Sequence, residues 1–254
     1  MGSMNPASLT QKTRLFRGVS GEHLLVCAIA TVVCTVLAIW AVISAPVSVP
    51  GVSGLYIAAA VYVPLALWFG MWGCIAGYLS CIFMGLYLGY SLDFVLVWAL
   101  ADFFEGFVVL VAYRQLKLKR SNLKKPTLTY ALTGTLVADI VIAAFAAVNA
   151  FTEIFVLTFI VAIAILSLQA LVENRKTWGT WLVVGVFAAS LVSGAFGVGA
   201  LWAFGFVPTD AFSTAFFGWV FGDIMVLATI GTVMAITITP YVMKTRVYVR
   251  NYFT

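Results

Sequence analysis

The chain has 254 residues, of which 63% are hydrophobic and 9% are charged, and its mean hydropathy is +1.09. This composition excludes a soluble globular domain and predicts an all-α integral membrane protein that crosses the lipid bilayer several times. The formal net charge of +5 does not indicate a nucleic-acid partner here, because in a membrane protein the positions of the basic residues carry the information.

A helix of roughly 20 apolar residues crosses the hydrocarbon layer, and charged residues, Pro and Gly mark the ends of such runs. Cutting the chain at these points predicts eight transmembrane helices between residues 23 and 240. Residues 1–22 form an N-terminal segment, in which 1–4 resemble a cloning remnant, and residues 241–254 form a tail. The predicted spans are 23–45, 53–70, 72–90, 94–113, 127–149, 152–172, 178–204 and 212–240.

The basic residues support this count. All fourteen Lys and Arg residues fall on one side of the membrane when eight spans are drawn, which predicts cytoplasmic N- and C-termini in the cell membrane. The basic loop 114–126 joins two stretches of four spans, 23–113 and 127–240. A likeness between ALADFFEG in the fourth span and WVFGDIMV in the eighth suggests two related four-helix halves.

Four carboxylates lie inside the spans without a basic side chain, and the rise per residue puts those of three helices at similar depth. Intramembrane acids are costly and usually face a polar cavity or a ligand. Two interpretations stay open: the acids only accept hydrogen bonds and fix helix packing, or they bind a cationic or hydrogen-bonding solute, a proton or a metal ion. The candidate ligand-binding residues are Asp102, Glu105, Asp139, Asp223, Trp98 and Trp219.

Enzymatic and metal-binding patterns are not found. WVFGD lacks the first glycine of the Gly-x-Gly-Asp motif of intramembrane aspartyl proteases, and no Ser–His or Cys–His pair occurs within the spans. The four cysteines have no metal-binding spacing, and His23 is the single histidine. We therefore expect no catalytic activity, no cofactor and no metal ion.

Small residues recur at helical spacing in the third and seventh spans. Gly73-x-x-x-Gly77, Gly85-x-x-x-Gly89 and Ser193-Gly194-x-x-Gly197-x-Gly199 predict close approach between neighbouring helices, because a residue without a side chain lets backbones meet.

Residues 58–89, AAAVYVPLALWFGMWGCIAGYLSCIFMGLYLG, resemble two families. The Phe-Gly-x-Trp-Gly turn and the small-residue helix are similar to the S components of energy-coupling factor transporters, although those usually have six spans. The same stretch, together with ALADFFEGFVVLVAYRQLKLK and FGDIMVLATIGTVMAITITP, resembles MASE-type membrane-associated sensor domains. In that family Asp102 and Asp223 would match acidic or amide positions of the fourth and last spans.

Both resemblances imply recognition of a small-molecule ligand within the membrane without chemistry. The leading expectation is a sensory input domain, with a signalling domain following Thr254 or supplied by a cytoplasmic partner. The alternative is solute uptake, either with an ATP-driven transport partner or as a proton-coupled carrier.

Overall fold

The computed structural model describes residues 21–44, 53–116, 123–149 and 152–253. The predicted N-terminal segment up to residue 20, the loop 45–52 and residues 117–122 of the basic loop lie outside this part of the chain. The described residues are mostly helical and contain no β-strand. The helices are α1 (Gly21–Ser44), α2 (Ile57–Phe69), α3 (Met71–Tyr87), α4 (Leu92–Gln115), α5 (Pro126–Val148), α6 (Thr152–Val172), α7 (Arg175–Ala203), α8 (Thr209–Thr237) and the short α9 (Thr239–Val242).

Six of the described helices are long and apolar enough to cross a membrane, namely α1 and α4 to α8. The predicted spans 53–70 and 72–90 correspond to shorter helices, because α2 has 13 residues and α3 has 17. At 1.5 Å per residue they reach about 20 Å and about 26 Å, less than the roughly 30 Å of a hydrocarbon core. The chain is therefore a multi-pass α-helical membrane protein.

Helices α2 and α3 form a tight hairpin. The chain turns at Gly70, whose φ of +62° favours glycine. A Cβ atom on Gly73 would collide with the backbone of Leu65 and Ala66, and one on Gly77 would lie 3.1 Å from the Tyr62 ring. The close approach that the glycine spacing predicted is thus confirmed between these two helices.

The prediction of close packing is wrong at Gly89 and Gly199, where a Cβ atom would meet nothing within 4 Å. Gly89 instead ends the turn after α3, with a φ of +85°. The glycine at this position therefore reflects a turn requirement rather than a helix contact.

Helix α2 lies at the centre of the fold, with α1, α3, α4 and α8 packed around it, and α4 also packs along α7. Helices α5 and α6 pair with each other and contact α8 mainly through its C-terminal half. Large apolar side chains are exposed on α1, α5 and α6, including Leu24, Val141 and Leu157, as expected for surfaces that face lipid.

The segment after α9 returns to the α2–α3 turn. We call residues 248–253 the C-terminal strap. Its Val249 N–H donates to the Trp68 carbonyl at 2.8 Å, and its Tyr252 carbonyl accepts from the Met71 N–H at 2.7 Å. The Arg114 guanidinium, at the end of α4, donates to the Val249 carbonyl at 2.8 Å and also to the Asn251 carbonyl. Residues 248–253 of the predicted tail are therefore attached to the ends of α2, α3 and α4.

A buried carboxylate caps α5. Glu173 is 1% exposed and accepts from the backbone N–H groups of Lys124 and Lys125 and from the Thr129 hydroxyl at 2.6 Å. Burial raises the pKa of Glu173, but the hydrogen bonds together lower it by more than burial raises it. The pKa therefore lies below its ordinary value. The ionised form therefore holds the start of α5 against the end of α6.

We expect Glu173→Gln to destabilise the protein by about 1 to 2 kcal/mol at neutral pH, since it removes a charged cap. Because the folded pKa is depressed, this contribution is present above the ordinary value of about 4.3 and is lost as the pH falls through the folded value. Thermal unfolding of both proteins measures it. Glu153→Gln, at an exposed first-turn position, is the control, and an equal loss in both variants would contradict the capping role.

Candidate functional site

Three of the four predicted carboxylates meet inside the bundle. Asp102 and Glu105 lie on α4 and Asp223 lies on α8, and each side chain is at most 1% exposed. Every one of them is within electrostatic range of at least one other carboxyl group of the set. The three-residue spacing puts Asp102 and Glu105 on one face of α4, and packing through α2 and α7 brings that face to α8.

Tyrosine and serine hydroxyls surround these carboxyl groups. The Tyr56 hydroxyl donates to Asp102 Oδ2 at 2.9 Å, and the Tyr62 hydroxyl donates to Glu105 Oε2. The Ser193 hydroxyl lies close enough to interact with both Glu105 and Asp223. Each acid is thus partly satisfied by a neighbouring helix or by the segment that precedes α2.

The sequence analysis missed Tyr56, Tyr62 and Ser193. A signal was present, because buried tyrosine hydroxyls in an apolar run need a hydrogen-bond partner. The sequence could not say which carboxylate would supply it, since the two tyrosines lie more than forty positions from their partners.

Several polar atoms of the site have no hydrogen-bond partner. Each of the three carboxyl groups has one such oxygen, and no basic side chain of the described residues interacts with any of them. The indole N–H of Trp98, a residue that is fully buried, is also unpartnered. The atoms are Asp102 Oδ1, Glu105 Oε1, Asp223 Oδ2 and Trp98 Nε1.

A small cavity lies beside three of these residues, Trp98, Asp102 and Asp223, whereas Glu105 does not line it. Its volume is about 10 Å³, which is about the space of one water molecule and far below the roughly 300 to 1,000 Å³ of pockets for organic ligands. A solute larger than water therefore requires the aromatic walls to move. The lining residues are Ser53, Tyr56, Cys81, Met84, Trp98, Asp102, Trp219 and Asp223.

Both predicted tryptophans belong to this wall. Trp98 and Trp219 meet edge to face, with ring centroids 6.2 Å apart, and the Trp219 indole N–H donates to Ser193 Oγ at 3.0 Å. Trp98 also stacks on Phe94 at 5.4 Å, and Phe94 in turn contacts Phe206 at 4.6 Å. Aromatic residues of the α7–α8 connection thus pack on Phe94, which in turn supports Trp98 at the start of α4.

Glycines leave the space that side chains near the cavity occupy. A Cβ atom on Gly197 would lie 2.5 Å from the Trp219 ring, whereas one on Gly85 would collide with the Val95 side chain at 2.5 Å and would only touch the Trp98 ring, at 3.4 Å. The small-residue pattern therefore does more than bring helix backbones together, because on α7 it makes room for a side chain that lines the cavity and on α3 for Val95 of α4.

Asp139 is not part of this group. It lies on α5, is 5% exposed and has an unpartnered Oδ2. Its helix contacts mainly α6 and the C-terminal half of α8, and the interactions of the other three carboxyl groups do not involve it. The four acids were predicted to lie at a similar depth in the membrane, but only three of them share a site. Depth along a helix does not determine where that helix lies around the bundle.

The described residues contain no group of three or more His, Cys, Asp or Glu side chains arranged to hold a metal ion. Comparisons with protein-family models, with curated proteins and with solved structures found no match. The geometry of the carboxylate cluster is therefore the basis for a functional assignment.

Proposed function

We propose that this protein binds a small cationic ligand among Asp102, Glu105 and Asp223 and that it uses binding for sensing, without catalysis. The observation that supports the proposal is the set of three buried carboxyl groups, each with an unpartnered oxygen and none with a basic partner among the described residues. Burying ionised carboxylates costs several kcal/mol, and a bound cation would offset that cost. The aromatic walls suit an organic ammonium group, because the face of a tryptophan ring attracts cations.

The proposed topology has eight crossings in the cell membrane with both termini cytoplasmic. The shorter helices α2 and α3 are compatible with it, because they are apolar and mostly buried among other helices, where a short helix is not required to match the lipid thickness. Two related four-helix halves would bring corresponding acids together, and Asp102 and Asp223 do line one cavity.

Sensing is favoured by the C-terminal strap. Asp223 lies on α8, which leads directly into α9 and the strap, and Asp102 lies on α4, whose last turn carries Arg114. A ligand held between α4 and α8 would change the relative position of two helices that the strap joins. A cytoplasmic signalling partner could then respond to release or rearrangement of residues 248–253, in the manner of a MASE-type input domain.

Solute uptake is the second candidate, as an S-component-like protein or a proton-coupled carrier. Trp98 and Trp219 form part of the cavity wall, and movement of such aromatic walls over a solute would give the occluded state of a carrier. Proteoliposomes separate the two uses. A carrier accumulates the ligand inside the vesicles, whereas a sensor binds it without net movement across the bilayer.

A thermal-shift screen of the purified protein against primary, tertiary and quaternary ammonium compounds tests the proposal. A ligand at 100 times its Kd stabilises the folded state by about 2.7 kcal/mol, so we expect a clear rise in Tm for at least one compound. Asp102→Asn should abolish that rise, since it removes the charge while keeping an oxygen that accepts from Tyr56.

Asp93→Asn is the matched control, because Asp93 lies on the same helix but is exposed at its start. This variant should keep the full response to the ligand. If no compound raises the Tm of the wild-type protein, or if Asp102→Asn responds as strongly as the wild type, the proposed cation site is wrong.

A further inference from the structure

We infer that the resident ligand of the carboxylate cluster is a proton, shared between Asp102 and Asp223 through one water molecule that accepts a hydrogen bond from Trp98. This inference rests on the proposed function, because the same side chains form the site. It identifies the species that occupies the site before a cationic ligand binds.

The unpartnered indole of Trp98 is the first observation. An indole N–H can only donate, Trp98 is fully buried, and its Nε1 has no protein partner. Leaving such a donor unpaired costs about 1 to 3 kcal/mol. Carboxylate oxygens of Asp102 and Asp223 in the same cavity are also unpartnered, so the cavity offers one donor and two acceptors around a single space.

The size of the cavity limits which molecule can bridge Trp98, Asp102 and Asp223. A volume of about 10 Å³ holds about one water, and buried waters usually make two to four hydrogen bonds. A water that accepts from the Trp98 N–H and from the protonated carboxyl group of one aspartate, and donates to the carboxylate of the other, satisfies all three protein groups. Exchange of the two roles moves the proton between Asp102 and Asp223. No organic solute fits this space without movement of the aromatic walls.

The charges around the cavity make a proton necessary. Within the described part of the chain, the titratable groups that face Asp102 and Asp223 come from α1, the segment before α2, α2, α3 and α4, and none of them is basic. On α7 the facing residue is Ser193, which does not titrate. Adjacent carboxylates in a low-dielectric interior cannot all ionise, so the pair or triad shares protons and titrates as a unit. The facing titratable groups are Cys34, Tyr56, Tyr62, Cys81 and Glu105.

A proton also differs from a metal ion in needing no ligand cage, and the described residues provide no such cage. Protonation links α4 to α8 through the bridging water, whereas loss of the proton leaves like charges on facing helices. The chemistry balances as an exchange: a monovalent cation that enters the site releases one proton to solvent, and the net charge of the site is unchanged.

Infrared difference spectroscopy on the protein in lipid bilayers tests the inference without any organic ligand. At neutral pH we expect a carbonyl stretching band of a protonated carboxyl group that shifts in D₂O and disappears at alkaline pH. Asp102→Asn and Asp223→Asn should each lose or displace this band, and the exposed-site control Asp93→Asn should keep it.

Trp98→Phe tests the water bridge, because it removes the donor while retaining an aromatic ring. The band should then shift in frequency, and wild-type-like thermal unfolding of this variant would exclude misfolding as the cause. An unchanged band in Trp98→Phe would overturn the bridge, and a band that is absent from the wild type, or unchanged in both aspartate variants, would overturn the shared proton.

Different experimental results would refute the proposed function and this inference. A pH-sensitive dye in weak buffer should report release of one proton for each bound ammonium compound found in the thermal-shift screen. A carboxyl band without any stabilising compound would refute the cationic ligand and leave the shared proton standing. Stabilisation by a compound without a carboxyl band would refute the shared proton and leave the ligand site standing.

Discussion

Replacing Gly73 with alanine is expected to lower the free energy of unfolding by about 2 to 3 kcal/mol, near the upper end for overpacked sites. The new methyl group would overlap the backbone of Leu65 and Ala66, and backbone atoms cannot rotate away as a side chain can. Helices α2 and α3 must therefore separate, which also displaces Tyr62 from Glu105. For a protein of this size we expect a fall in Tm of roughly 4 to 10 °C, measured by circular dichroism in one detergent.

Gly134→Ala provides the control for this substitution. Gly134 lies inside α5, and a Cβ atom there would meet nothing within 4 Å, so the higher helix propensity of alanine should stabilise the protein by up to about 1 kcal/mol. A Gly73→Ala protein that is as stable as Gly134→Ala would show that the hairpin is not packed as tightly as described.

Replacing Gly197 with alanine should damage the site more than the fold. The methyl group would lie 2.5 Å from the Trp219 ring, so the ring must shift and its hydrogen bond to Ser193 should break. We expect a loss of about 1 to 3 kcal/mol in stability and loss of any Tm increase caused by an ammonium ligand. Thermal unfolding with and without the ligand measures both effects.

Gly199→Ala is the matched control, two residues further along α7 and facing open space. It should bind the ligand as the wild type does and be at least as stable. If Gly197→Ala retained the full ligand response, Trp219 would not be part of the binding site, and the indole would only fill space between α7 and α8.

The candidate site was only partly predictable. Trp98 and Trp219 were predicted with the acids, and both line the cavity beside Asp102 and Asp223. An intramembrane acid can be recognised from sequence because its neighbours are apolar, which is a local property. Asp139 satisfied the same local criterion but lies on a helix at the side of the bundle, and nothing in its flanking residues distinguishes it from Asp223.

The hydrogen-bond partners of the acids could be identified only from the fold. Tyr56 and Tyr62 donate to residues on another helix, and the strap reaches Trp68, Met71 and Arg114 from the far end of the chain. Such contacts depend on how each helix is rotated about its axis and where its ends lie. Hydropathy leaves both undetermined in a protein whose helices are apolar on nearly every side.

The sequence alone determined that this is a multi-pass α-helical membrane protein with buried acids, because membrane insertion depends on hydrophobicity summed over about 20 neighbouring residues. It also indicated where glycines would let helices approach. The tertiary structure decided that three acids share one site, that the site has room for about one water molecule, and that the C-terminal strap joins the helices around it. Those features arise from side chains of distant segments packing against one another, where steric fit and hydrogen bonding select one arrangement among many with the same hydrophobicity.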